Sequence, residues 1–194
     1  MPDVLLVRHG ATEWSDSGRH TSVTDLPLTD AGRAAAAAAG RWLERRIGPG
    51  APVAVLTSPR LRARQTCELS GWAEHAVVVP DLVEWDYGDY EGLTTPQIRR
   101  RDPDWTIFSR GAPGGESVAA VQLRADRVIE RLRSHEDTVV VFGHGHFLRV
   151  VAARWVGLEA AWGRAFKLDA GSVSVLGWER ESPAIGSWNV RPDS

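Results

Sequence analysis

The chain has 194 residues, a charged fraction of 25%, a hydrophobic fraction of 43% and a formal net charge of −2. That is enough for one domain with a sizeable core, and it excludes a bulk basic attraction to nucleic acid. The single Cys67 excludes an intrachain disulfide framework and a cysteine zinc cluster, and no run of about 18 apolar residues predicts a membrane span.

The apolar run Val4-Leu5-Leu6-Val7 reads as a buried strand that delivers Arg8-His9-Gly10 to its C-terminal edge. No basic leader precedes it, so no secretory signal is expected and a cytoplasmic, reducing location fits. A polar loop follows through Asp25. Leu28-Thr29-Asp30-Ala31-Gly32 opens a helix with Thr29 as N-cap; the alanines from Ala34 to Ala39 favour it, and Gly48-Pro49-Gly50 ends it. Val53-Ala54-Val55-Leu56 is a second strand, running into Thr57-Ser58-Pro59-Arg60-Leu61-Arg62, and a helix covers about Arg60 to Leu69. Val77-Val78-Val79 is a short third strand.

Pro80 to Gly115 is an irregular stretch with one helix expected near Thr95 to Arg101; stretches of this length are typically functional or lids. Gly114-Gly115-Glu116-Ser117 leads into an amphipathic helix that ends near Arg133. Val139-Val140-Val141-Phe142 is a further strand, running into Gly143-His144-Gly145-His146, where another helix opens and continues to about Val156. Ser172 to Leu176 and Ala184 to Trp188 read as two closing strands. The alternation implies one layered α/β domain, residues 1–194, with a mostly parallel sheet.

Three strands thus deliver Arg8, His9, Arg62 and His144 to what reads as one rim, and ligands of open α/β sheets bind at that edge. Two arginines and two histidines suit a phosphoryl group. A largely neutral imidazole such as His9 can attack phosphorus without prior deprotonation, and Arg8 beside it can hold a phosphate oxygen. His144 at a helix start has a geometric reason to meet an anion. His146, two residues on, should point away and is assigned a structural or peripheral place. Arg60 and Arg64 share a helix face while Arg62 points roughly 200° from Arg60, so one of the three can face the rim. The leaving oxygen needs a proton. The cluster Glu84-Trp85-Asp86-Tyr87-Gly88-Asp89-Tyr90-Glu91 offers several carboxylates, among which periodicity does not choose. No His-x-x-x-His helix motif occurs and arginines flank the histidines, which argues against a metal; no glycine-rich loop with lysine supports a kinase.

These residues resemble the histidine phosphatase superfamily, the phosphoglycerate mutase-like fold. The resemblance rests on Arg8-His9-Gly10 with Thr12 and Trp14, and on Gly18-Arg19-His20-Thr21 through Thr24-Asp25-Leu26-Pro27-Leu28-Thr29. It continues through Thr57-Ser58-Pro59-Arg60-Leu61-Arg62-Ala63-Arg64-Gln65-Thr66, the acidic cluster with Gly92, and Gly143-His144-Gly145. It implies a three-layer α/β/α sandwich with a mostly parallel central sheet. It also implies phosphorylation of His9, phosphoryl clamping by Arg8, Arg62 and His144, and Glu84 as proton donor and later as activator of water. Ser15, His20, Thr21 and Gly145 join Arg8, Arg62 and His144 in the expected substrate site.

The blocks look nearest to the sugar phosphatase branch, which includes sedoheptulose bisphosphatase-like proteins and bacterial acid phosphatases. The expectation is therefore a metal-independent phosphomonoesterase for a small phosphorylated metabolite, a sugar phosphate or bisphosphate. It has no cofactor, no nucleic-acid or membrane partner, and is compatible with a homo-oligomer. The alternatives are a phosphoglycerate mutase, disfavoured by the short middle segment and by Ser15 where mutases commonly carry asparagine, and an inactive phosphate-binding protein.

Overall fold

A computed structural model describes residues 2–192. Six strands, β1 (Val4–Arg8), β2 (Val53–Thr57), β3 (Val77–Val78), β4 (Thr138–Gly143), β5 (Val173–Glu179) and β6 (Ser182–Val190), form one sheet in the order β3-β2-β4-β1-β5-β6. β1 and β4, β4 and β2, and β2 and β3 pair in parallel. β5 is antiparallel to both β1 and β6. The helices are α1 (Glu13–Asp16), α2 (Asp30–Ile47), α3 (Leu61–Leu69), α4 (Thr95–Arg99), α5 (Ile107–Arg110), α6 (Val118–Arg133) and α7 (Gly145–Trp155).

Strand side chains alternate between faces, and the central strands carry unbroken apolar runs, Val4–Val7, Val53–Leu56 and Val139–Phe142, so both faces must be covered. Leu5, Val7, Val55, Val140 and Phe142 pack with Ala39, Leu43 and Cys67 of α2 and α3. Val4, Leu6, Leu56, Val139 and Val141 pack on the other face with residues of α5, α6 and α7. The result is the expected three-layer sandwich. The alanines and Gly40 let α2 lie close, and the turn that starts α2 touches the chain leaving β1. A Cβ on Gly10 would come 2.2 Å from the Gly32 carbonyl oxygen, and one on Gly32 would come 2.2 Å from that of Ala11. This contact fixes the direction in which the chain leaves His9.

The structure departs from the sequence reading in places. The 80–115 segment carries two single-turn 3₁₀ helices besides α4 and α5, and it is anchored by buried Leu82, Trp85, Tyr87, Ile98, Trp105 and Phe108. α1 and α5 have four residues each, too few for a periodic pattern; α1 is fixed instead by a capping box between Thr12 and Ser15. The closing strands run longer than Ala184–Trp188 and Ser172–Leu176, because they form one hairpin turning at Arg180 (φ 56°) and place Pro183 in the edge strand β6. Among the described residues no helix is long and apolar enough to cross a membrane.

Candidate active site

The parallel strands β1, β4 and β2 end together, and the backbone keeps pairing just past them. The His9 N–H donates to the Gly143 carbonyl at 3.0 Å, and the Ser58 N–H donates to that of Phe142 at 3.0 Å. His9, Ser58 and His144 therefore lie side by side at one sheet edge, with the rings of His9 and His144 5.2 Å apart.

His9 is buried, with Nδ1 2.8 Å from the Gly10 carbonyl oxygen. A carbonyl only accepts, so Nδ1 carries the ring proton and Nε2 keeps its lone pair. Burial first, then the charges of Arg62 and Arg8, push the His9 pKa well below the ordinary histidine value. The ring is neutral, with a free lone pair, in a cationic setting.

Arg62 is fully buried, as the helical spacing allowed for one arginine of the three; Arg64 is exposed and Arg60 half-buried. Its guanidinium donates to the carbonyls of Thr24 (3.1 Å), Thr21 (3.0 Å) and Ser22 (3.3 Å). That loop is itself held by Glu91, which accepts from the N–H groups of Ser22 and Thr24. Arg8 donates to the Leu168 carbonyl, and it passes so near α7 that a Cβ on Gly145 would lie 3.1 Å from its Nε. The Nε atoms of both arginines are buried without a partner, and among the described residues neither guanidinium forms a salt bridge. Unpaired buried cations are costly unless an anion joins them.

His144 is completely buried as the N-cap of α7, with Nε2 2.7 Å from Ser58 Oγ. With Ser58 donating, Nδ1 carries the ring proton, and Nδ1 is another buried atom without a partner. Burial, then Arg62 and His9, lower its pKa well below the usual value, so it too is a neutral donor.

The first turn of α7 is not empty. Glu84 sits on it, with Oε1 accepting from the N–H groups of Phe147 (2.7 Å) and Trp85 (2.9 Å) and Oε2 from that of His146 (3.0 Å). Oε2 is the less committed oxygen. Of the rival carboxylates, Glu91 is engaged by the 22–24 loop and Asp86 caps the Gly88 N–H, whereas Glu84 alone of these lines the cavity. An ion pair of buried Arg124 with half-buried Glu116 props the segment: Arg124 bonds Glu116 at 2.6 Å and donates to the carbonyls of Asp81 and Val83, while Glu116 accepts from the Asp86 N–H.

The cavity measures about 160 Å³. Of the residues assigned to substrate binding, Arg8, Ser15, His20, Thr21 and Gly145 line it, whereas Arg62 and His144 lie buried outside its surface. The Ser15 hydroxyl is already used in the α1 capping box. His146 is a correction. Its ring is on the cavity wall, because His144 is the extended N-cap of α7 and not part of its first turn, so the roughly 200° between residues two apart on a helix does not separate the two side chains. Tyr87 and Arg149 also line the cavity and were not singled out. Arg149 follows Gly145 by four residues, the spacing of one helix face, and that is the signal that could have found it. Its guanidinium lies 4.5 Å from the Phe108 ring centroid and donates to the Gly163 and Arg164 carbonyls. Among the described residues no three His, Cys, Asp or Glu side chains are grouped to hold a metal ion.

Comparison with known proteins bears on the family and the fold. The model of the histidine phosphatase superfamily (branch 1) matches residues 4–191. An acid phosphatase of Mycobacterium tuberculosis is 45% identical over 178 residues, 91% of this chain and 86% of the relative. A sedoheptulose 1,7-bisphosphatase of Saccharomyces cerevisiae is 40% identical over 185 residues, 81% of this chain and 68% of the relative. The solved structure of an open reading frame from M. tuberculosis superposes with a TM-score of 0.95 at 41% identity, covering 99% of both chains.

Proposed function

From the premise that this chain belongs to branch 1 of the histidine phosphatase superfamily and is a phosphoric monoester hydrolase, we propose that it hydrolyses a small sugar phosphate or bisphosphate through phosphohistidine on His9, without a metal. One observation carries the reading: a neutral His9 with Nε2 free, in the field of buried Arg62 and half-buried Arg8, neither of which has a carboxylate partner among the described residues.

In the first step His9 Nε2 attacks phosphorus and the P–O bond to the alcohol breaks. Arg8, Arg62, His144 Nδ1–H and the Gly145 N–H bind the phosphoryl oxygens, and a proton on Glu84 passes to the leaving alkoxide. In the second step the Glu84 carboxylate takes a proton from water, the oxygen attacks phosphorus, and the P–N bond breaks to return His9 Nε2 and release phosphate. Donors already in place for the developing charge are the kind of groups that lower such barriers, and they supply the positive charge a divalent ion would otherwise bring. Arg19 and Arg149 on the cavity wall support a second anionic group on the substrate, in keeping with the name of the yeast relative.

The test is phosphate release across a panel of sugar mono- and bisphosphates, before and after extensive chelation. We expect preferential turnover of sugar esters, unaffected by chelation and blocked by vanadate. Activity lost on chelation and restored by a divalent ion contradicts the reading, as does isomerisation of phosphoglycerate with no phosphate released.

A further inference from the structure

Beside Glu84 the cavity wall is a cluster of rings. Tyr87 Oη lies 2.5 Å from His146 Nδ1. His20 stacks near both, 4.7 Å from Tyr87 and 5.8 Å from His146 between centroids, and Phe108 closes the back of His146 at 5.3 Å. The short Tyr87–His146 contact holds one hydrogen, and its owner can be assigned. Among the described residues the Tyr87 hydroxyl makes no other hydrogen bond, so its proton has His146 Nδ1 as its acceptor. Burial and the nearby Glu84 keep Tyr87 a phenol by raising its pKa well above the usual value. Burial, then Arg149 and His20, keep His146 neutral by lowering its own. A neutral imidazole that accepts at Nδ1 carries its hydrogen on Nε2. No protein group accepts from that Nε2–H, and the ring lines the cavity. The same residue's backbone N–H meanwhile holds Glu84 Oε2 at 3.0 Å.

We infer that His146 is a specificity-determining residue: its Nε2–H binds an oxygen of the leaving alcohol, a hydroxyl or carbonyl of a polyol chain, and Tyr87 is the positioning residue that keeps the hydrogen on Nε2. This rests on the phosphomonoesterase reading above and deepens it. The phosphoryl group is held elsewhere, so this donor acts only on the part of the substrate that departs. A leaving group without oxygens fills the same space, excludes water and leaves the N–H unpaired, which costs binding in the way that separates hydroxylated substrates from apolar analogues.

The experiment compares kcat/KM for phenyl phosphate, whose leaving group has no further oxygen, with that for the sugar phosphate turned over fastest. It uses the intact enzyme, His146→Ala, His146→Gln and Tyr87→Phe. The backbone bond to Glu84 survives all three substitutions. In His146→Ala the sugar-to-phenyl ratio should fall about tenfold, the scale of one hydrogen bond lost. Gln, whose amide reaches the place of Nε2, should restore most of the ratio, and Tyr87→Phe should give an intermediate fall. Equal losses on both substrates, or no rescue by Gln, overturn the assignment. Nitrogen-15 NMR of the intact protein reads the His146 tautomer directly; hydrogen on Nε2 supports the inference, and hydrogen on Nδ1 overturns it whatever the kinetics. An intact enzyme inactive on every phosphomonoester would sink the proposed function instead, while the tautomer would still decide this point.

Discussion

The cavity has two halves that hold their chemistry in different ways. His9 and His144 stand on the ends of paired parallel strands, and the backbone pairing that fixes the sheet continues through His9 to Gly143. Arg8 and Arg62 reach the same rim, braced by backbone carbonyls. The opposite half is carried by the 80–115 segment and by α7. There Glu84 depends on three N–H groups, and its segment depends on the Arg124–Glu116 pair. A sheet edge positions groups through many shared hydrogen bonds. An irregular segment needs a few specific anchors, each of which a single substitution can remove.

Removing His9, the proposed nucleophile at the sheet edge, is expected to have the largest effect. His9→Ala should lose at least ~10⁴-fold in kcat on every substrate, the scale seen when a nucleophile is deleted; a fully active variant would break the account of this half. Across the cavity, Glu84→Gln should lose ~10²–10⁴-fold in the single-turnover rate with a sugar phosphate, the usual worth of general acid catalysis, and much less with a nitrophenyl ester that needs no proton. Equal losses on the two would move the acid to another group.

The anchors come next. Glu116→Leu leaves Arg124 buried with its charge unpaired and should destabilise the protein by roughly 3–5 kcal/mol in urea unfolding, with the residual activity falling more on sugar than on nitrophenyl esters. A stability change within experimental error would show that the ion pair does not hold the segment.

Smallest is a pH effect from His20, whose burial lowers its pKa from 6.5 to about 4. Between those values the unfolded chain binds the proton and the folded one does not, so stability is intact above pH 6.5 and is lost as pH falls towards 4. The His20 share is about 3 kcal/mol at most. Urea midpoints at pH 7 and 4.5 should converge in His20→Leu relative to the intact protein. An unchanged difference between the two pH values would place the acid sensitivity elsewhere.

The same contrast explains what was legible in the sequence. Apolar runs ending in Arg8-His9, Ser58 and His144 announce a strand edge, because a buried parallel strand has a compositional signature and its last residues have a defined place. Helical geometry sets Arg62 on a different side from Arg60 and Arg64, and the resemblance gives it the phosphoryl-clamping role. Glu84 could not be chosen among its neighbours by periodicity, since its place on the first turn of α7 is a contact 62 residues away in the chain. His146 lies on the cavity wall although two-residue spacing points it away, because that spacing separates side chains only within a helix and His144 is the extended N-cap before it. Arg149 went unseen although Gly145 lies one helical turn before it, and the short helices α1 and α5 rest on caps and tertiary contacts rather than on pattern.

The central claim is tested most directly by rapid quenching of the enzyme with phosphorus-labelled sugar phosphate, followed by digestion and peptide identification. The account predicts an acid-labile, alkali-stable phosphoryl group on the peptide that contains His9, forming and decaying within a single turnover. Turnover with no label on that peptide, or with the label on another residue, would contradict it.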